Sequence, residues 1–185
     1  MTNFDATTRN IETICALSPM QEGLLFHALL APDSAVYFEQ VSCRLSALED
    51  TAAFRRAWQM ATDRHVALRT GFYWKNRKRP LQIVRRQCDL TWSEKDWRGI
   101  EPDQIEPRLS ELLEDDRRRG FDLSQAPLMR CTLLRLRGGE YQFIWSHHHL
   151  ILDGWSASLV VREVFTTYEA LLAGRDPHLP LPRPF

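Results

Sequence analysis

The chain predicts an α/β domain built on a mixed, mostly antiparallel sheet with flanking helices. Three observations carry that expectation. Stretches of helical periodicity alternate with short runs of β-formers, the pattern of interspersed helices and strands. The pair Gly138-Gly139 separates two such runs, residues 128–136 and 140–146, and marks a hairpin. With 185 residues, 44% of them hydrophobic, the chain can bury a core for one domain and lacks a disordered composition.

The elements follow in order. Ser18-Pro19-Met20-Gln21 is a helix start, with Ser as N-cap, Pro at the first helical position and Gln three residues on to close a capping box. That helix should run to about Leu30, ahead of Pro32. Residues 36–45 are rich in β-formers and predict a strand. Phe54, Ala57, Trp58 and Ala61 recur at i, i+3, i+4 and i+7 and predict an amphipathic helix over 48–65. Residues 68–74 and 81–86 predict a hairpin across the basic, turn-forming stretch 75–80. Over 103–118, Ile105, Leu109, Leu112 and Leu113 share a helical face. Ala157, Val160, Val161, Val164, Tyr168 and Leu171 define a last helix, with Gly174 as its stop. Residues 1–12 form a polar leader, 13–176 the folded lobe, and 177–185 a Pro-rich segment of linker character.

Composition excludes several classes. Basic and acidic residues number 24 each, so no electrostatic footprint for nucleic acid or an anionic membrane is present. No apolar run approaches the ~20 residues a membrane span needs, and the first ten residues are too polar for a signal peptide. Cys15, Cys43, Cys88 and Cys131 are scattered, with no C-x-x-C pair, and are expected as buried free thiols in a reducing cytoplasm.

The chemistry is concentrated in His147-His148-His149-Leu150-Ile151-Leu152-Asp153-Gly154-Trp155-Ser156. An imidazole, with a reference pKa of about 6.5, is the side chain best suited to proton transfer near neutrality. A lone strand-end histidine is more often simply hydrogen-bonded, and an Asp-Gly pair is often an exposed turn. Adjacent histidines in a strand cannot converge on one ion, and no His-x-x-x-His helix or Cys pair completes a set, so no metal is expected. Ser156 lacks a G-x-S-x-G context and is expected as a helix N-cap, not a nucleophile.

The spacing His148-His149-x-x-x-Asp153-Gly154 resembles the active-site signature of nonribosomal peptide synthetase condensation domains. It is also similar to the shorter His-x-x-x-Asp-Gly form of chloramphenicol acetyltransferase and its relatives. Leu17-Ser18-Pro19-Met20-Gln21-Glu22-Gly23-Leu24-Leu25-Phe26-His27 resembles the first core motif of condensation domains. Arg64-His65-Val66-Ala67-Leu68-Arg69-Thr70-Gly71-Phe72 resembles the second. Arg119-Gly120-Phe121-Asp122-Leu123 with Ala126-Pro127-Leu128 has the family's appearance as well, and the four matches occur in family order.

The resemblance implies a chloramphenicol-acetyltransferase-like α/β sandwich. Condensation domains are two-lobed and longer than this chain, so it implies a single N-terminal lobe, with 177–185 as the interlobe linker and little activity in isolation. The implied reaction forms a peptide bond between a donor acyl or peptidyl thioester and an acceptor aminoacyl thioester. Both substrates would ride on phosphopantetheine arms of peptidyl carrier proteins, with no cofactor bound directly. Further implied partners are the C-terminal lobe and an upstream synthetase docking on residues 1–12 as a communication segment. His149 is the implied catalytic residue, as base or as positioner of the amine; His148 would orient the loop, and His147 is an accidental third member. Asp153 is expected to pair with Arg69, an ion pair whose breakage would cost on the order of 3–5 kcal/mol. Gly154 would let a thioester arm pass close to the backbone. Ser18, Met20, Gln21 and Gly23, with Trp155 and Ser156, are substrate-tunnel candidates. The wording Ser-Pro-Met-Gln-Glu-Gly implies the subclass taking a D-configured donor and an L-configured acceptor. Two other readings stand beside this one: a free coenzyme A-dependent acyltransferase assembled as a trimer, and a non-catalytic docking module.

Overall fold

The computed structural model describes residues 9–31, 34–46 and 48–180. In chain order the elements are β1 (Ile11–Ala16), α1 (Pro19–Leu30), β2 (Phe38–Leu45), α2 (Thr51–Arg64), β3 (Thr70–Tyr73), β4 (Leu81–Arg85), β5 (Thr91–Asp96), α3 (Pro102–Arg119), β6 (Met129–Arg135), β7 (Tyr141–His148) and α4 (Gly154–Leu172). They form two sheets, one ordered β1-β4-β3 and the other β2-β7-β6-β5. All pairings are antiparallel except β5 with β6, which are parallel and joined through α3.

Local signals account for most of these elements. α1 carries the complete capping box, with the Ser18 hydroxyl accepting from the Gln21 amide and the Gln21 carboxamide accepting from the Ser18 amide. α2 starts later than its periodicity suggests, because Asp50 caps it through the Ala52 and Ala53 amides at 2.8 and 3.0 Å. The glycine-pair hairpin forms between β6 and β7, but its turn takes five residues, with Gly138 and Gly139 both at positive φ (71° and 80°). α4 ends on a left-handed Gly174, and the Arg175 amide reaches back to the Ala170 carbonyl at 2.9 Å.

The central strands β6 and β7 of the four-stranded sheet are buried on both faces, and their two-residue period sorts the side chains. Met129, Cys131, Leu133, Phe143 and Trp145 pack in the main core with Phe54, Ala57, Trp58 and Ala61 of α2 and Val160, Val164 and Tyr168 of α4. Their neighbours Leu134 and Ile144 join Leu109 of α3, with Leu112, Leu113 and Trp97 packed against them.

Three expectations change. Ile11 and Glu12, placed in the leader, belong to β1; residues 1–8 of that leader lie outside the described residues. β5 was not anticipated. Cys88 and Cys131 are buried, but Cys15 and Cys43 are exposed, because both lie on edge strands of their sheets. At the other end, residues 177–180 have no regular structure, Pro177 and Leu179 border a groove with Met60, Ala61 and Thr167, and Arg64 donates to the Pro180 carbonyl. Residues 181–185 of the expected linker lie outside the described residues. No described helix is long and apolar enough to cross a membrane.

Candidate active site at the end of strand β7

The histidine run ends β7 and enters a turn. Edge strand β2 pairs with β7 so that Phe38 opposes His148 and Glu39 opposes His147. The turn is anchored from below: Leu150, Ile151 and Leu152 are all buried, which fixes the backbone between the last strand residue and α4. Asp153 then caps α4, its carboxylate accepting from the Ser156 amide at 2.7 Å. That bond, with the Ser156 hydroxyl, holds the Asp153 carboxyl below the usual carboxylate range.

The three histidines differ sharply. His147 is buried, stacked on Trp145 with ring centroids 4.4 Å apart, and its Nδ1 has no hydrogen-bond partner. His148 is buried too, and its Nδ1 accepts from the Leu150 amide at 3.1 Å. In the neutral ring that acceptor role puts the proton on Nε2. Burial, with the charge of neighbouring histidines, pushes both rings down to about 4, so both are neutral at pH 7. His148 also borders a pocket with Tyr37, Phe38, Trp74 and Phe121. His149 is the accessible member, its side chain 33% exposed. Its amide donates to the Tyr37 carbonyl at 2.9 Å, its ring stacks on Tyr37 at 6.3 Å and 17°, and its Nδ1 lies 3.7 Å from a Glu39 carboxylate oxygen. Its Nε2 has no partner among the described residues. The arrangement leaves one imidazole able to meet a proton donor from outside and one committed to holding the turn.

Other expected site residues disperse. Arg69 and Asp153 are not paired. The Arg69 guanidinium is buried and bonds Glu12 of β1 at 2.7 Å, the Arg86 carbonyl at 3.4 Å and the Arg85 carbonyl, whereas Asp153 is exposed and engaged with its own helix. The strand β1, absent from the sequence reading, supplies the carboxylate that the buried guanidinium requires. Ser156 is not the N-cap of α4: Asp153 takes that role and Ser156 supplies the capped amide. Met20 and Trp155 are exposed, at 74% and 78%, and Gly23 faces open space. Gly154 likewise has no atom within 4 Å of where a Cβ would sit, so nothing in the described chain demands glycine there. Ser18 is occupied as the α1 cap. Gln21 is buried, and its carboxamide reaches the Leu150 carbonyl of the motif turn at 3.5 Å.

Two neighbours of His149, Tyr37 and Glu39, escaped the sequence reading. Nothing in their local sequence marks them, because only the β2–β7 register brings them to the motif.

A second polar cluster stands behind the site. Asp116 of α3 accepts from Arg130 Nε and Ser146 Oγ, each at 2.5 Å, and from Gln40 at 2.9 Å. Burial works against the charged form of this carboxyl, but the bonds from Ser146, Arg130 and Gln40 outweigh it and hold the group below its usual range. The cluster ties α3 to β2, β6 and β7 at Ser146, the residue directly before the histidines.

Comparison with known proteins identifies the family. A family model for the condensation domain matches residues 11–185. Linear gramicidin synthase subunits D and C of Brevibacillus parabrevis are 41% and 42% identical over 96% and 99% of the chain, which spans only 4% and 2% of their lengths. Among solved structures, the first condensation domain of the calcium-dependent antibiotic synthetase superposes with a TM-score of 0.80 at 20% identity, covering 92% of this chain and 42% of that one. The starter condensation domain of the rhizomide synthetase gives 0.79 at 23% identity, covering 90% and 41%. A family match over nearly the whole chain, the same fold in solved members and the intact histidine motif on a strand end together lead to one conclusion: the chain belongs to the condensation-domain family of nonribosomal peptide synthetases.

Proposed function

We propose that the chain is the N-terminal, motif-bearing lobe of a condensation domain, and that His149 serves the amine that attacks a carrier-bound thioester. In that reaction the acceptor nitrogen bonds the donor carbonyl carbon, the carbon–sulfur bond breaks, and the amine loses a proton. The observation that carries the reading is the division of labour between the two motif histidines. His148 is buried and holds the turn through Leu150, while His149 keeps an accessible ring whose Nε2 has no partner among the described residues. Glu39, 3.7 Å from Nδ1, lies within ion-pair range of a ring that has taken up a proton. Gly154, open on its outer side, supports close passage of a phosphopantetheine arm. The partners proposed on this reading are donor and acceptor carrier proteins and a C-terminal lobe. The D-donor, L-acceptor subclass is proposed on the wording of residues 18–23.

The experiment is single-turnover condensation by the full-length protein, with donor and acceptor carrier domains loaded with D- or L-aminoacyl phosphopantetheine and the product followed by intact mass. His149→Ala should slow amide formation by ~10²-fold or more, about 2.7 kcal/mol at 1.36 kcal/mol per decade, and leave carrier binding in place. Near-parental turnover would remove His149 from the chemistry. Acyl transfer from free coenzyme A in place of a carrier would favour the acyltransferase reading. Faster reaction of L-donors would overturn the subclass.

A further inference from the structure

Gln21 is a buried polar side chain whose position is only half explained by its helix. A capping box accepts either Glu or Gln at this point, because it needs only a side-chain oxygen for the N-cap amide. Gln21 Oε1 fills that need, accepting from Ser18 at 3.0 Å. Its Nε2 then faces two acceptors, the Gln82 carboxamide oxygen at 3.4 Å and the Leu150 carbonyl at 3.5 Å. Gln82 in turn donates to the Ala16 carbonyl at 3.0 Å, so the pair sits among β1, β4 and the cap of α1. Leu150 is the residue whose amide donates to His148 Nδ1, and its carbonyl is the one Gln21 reaches. A bonded path therefore runs from the cap of α1 through Gln21 and Leu150 to His148, joining the smaller sheet to the turn that ends β7.

We propose that Gln21 is a positioning residue: by donating to Leu150 it holds the turn in which His148 is locked and from which His149 projects. The choice of Gln over Glu follows. A carboxylate caps equally well but has no N–H for Leu150, and it would place a charge in a buried site facing two oxygens. The proposal rests on the motif turn being the reaction centre.

The test uses Gln21→Glu and Gln21→Met in the full-length protein. Glu keeps the cap and loses the tether; Met keeps the shape, loses both, and avoids a buried charge should Glu fail to fold. Two readouts are taken: hydrogen–deuterium exchange of the peptide spanning 149–152, and kcat against KM for the loaded acceptor carrier. Both variants should show faster exchange in that turn, confined to it in Gln21→Glu and accompanied by loosening of the Ser18 cap in Gln21→Met. Both should also show a kcat lower by about 10-fold, the order of one hydrogen bond, with KM within twofold of the parent. Unchanged turn exchange overturns the tether. Loosened exchange with parental kcat overturns its part in positioning. A raised KM at parental kcat overturns the proposal in favour of direct substrate contact. His149→Ala, run beside them, speaks only to the reaction centre: if it retains parental kcat that reading falls, while the exchange experiment still decides the tether.

Discussion

Asp116→Asn tests how the site's scaffold is held. The carboxylate collects Arg130, Ser146 and Gln40 and also receives Arg119 at 3.0 Å. Arg130 is 8% exposed, so removing the carboxylate charge leaves a buried guanidinium without its counter-ion. Breaking such a pair costs about 3–5 kcal/mol. Arg130 keeps some support here: it donates to the Gly120 and Asp116 carbonyls at 2.7 and 2.6 Å, and it lies 4.3 Å over the Phe121 ring. Asn also retains an acceptor oxygen. The expected loss is therefore at the lower end, about 3 kcal/mol, read from urea unfolding followed by tryptophan fluorescence. The pH dependence gives a second, independent check. The folded carboxyl is held below its unfolded value, so its stabilisation is complete above the ordinary carboxylate range and is lost as pH falls through the lowered folded value. The gap between parent and Asp116→Asn should accordingly be widest at neutral pH and shrink in acid. A third check is Arg130→Met in the Asp116→Asn background, which should recover stability because the orphaned charge is gone. A loss below about 0.5 kcal/mol, or a gap of equal size at pH 3 and pH 7, would refute the account of Asp116 as the buried counter-ion.

Two further outcomes follow from the motif. Asp153→Ala should cost about 1 kcal/mol through loss of the α4 cap, while Asp153→Asn, itself a good cap, should stay near the parent; an equal, severalfold larger loss in both would reinstate an ion-pair role. His147 sits at about 4 against an ordinary 6.5, so the unfolded chain takes up its proton first and stability falls as pH drops from about 6.5 to about 4. His147→Phe keeps an aromatic ring against Trp145 and removes that proton, so its unfolding midpoint should fall less between pH 7 and pH 5. An identical pH slope in the two proteins would contradict the burial argument.

What was legible in the sequence was local or periodic. The Ser18–Gln21 box, the α2 and α4 faces, the Gly138-Gly139 hairpin and the histidine motif each lie within one stretch of chain, where neighbours in sequence are neighbours in space. β5 escaped because Thr91–Asp96 is polar, with little alternation, and is made a strand by parallel pairing with Met129–Arg135. β1 escaped for a related reason: its outward positions are exposed and its polar start looks like a tail.

The site divided the same way. The motif assigned the chemistry to His149 and the loop to His148, but the burial of His148 and its bond from the Leu150 amide are products of the fold. Arg69 and Asp153 were matched by motif and separated by the fold, because an ion pair forms between whichever opposite charges packing brings within reach, and packing places Glu12 beside Arg69. Tyr37, Glu39 and the Asp116 cluster are contacts between distant segments. The sequence by itself determined the family, the cap of α1 and the histidine motif at the end of β7. The tertiary structure decided which imidazole is accessible and what holds it, since burial and hydrogen-bond partners depend on strand register and sheet packing, which no local pattern encodes.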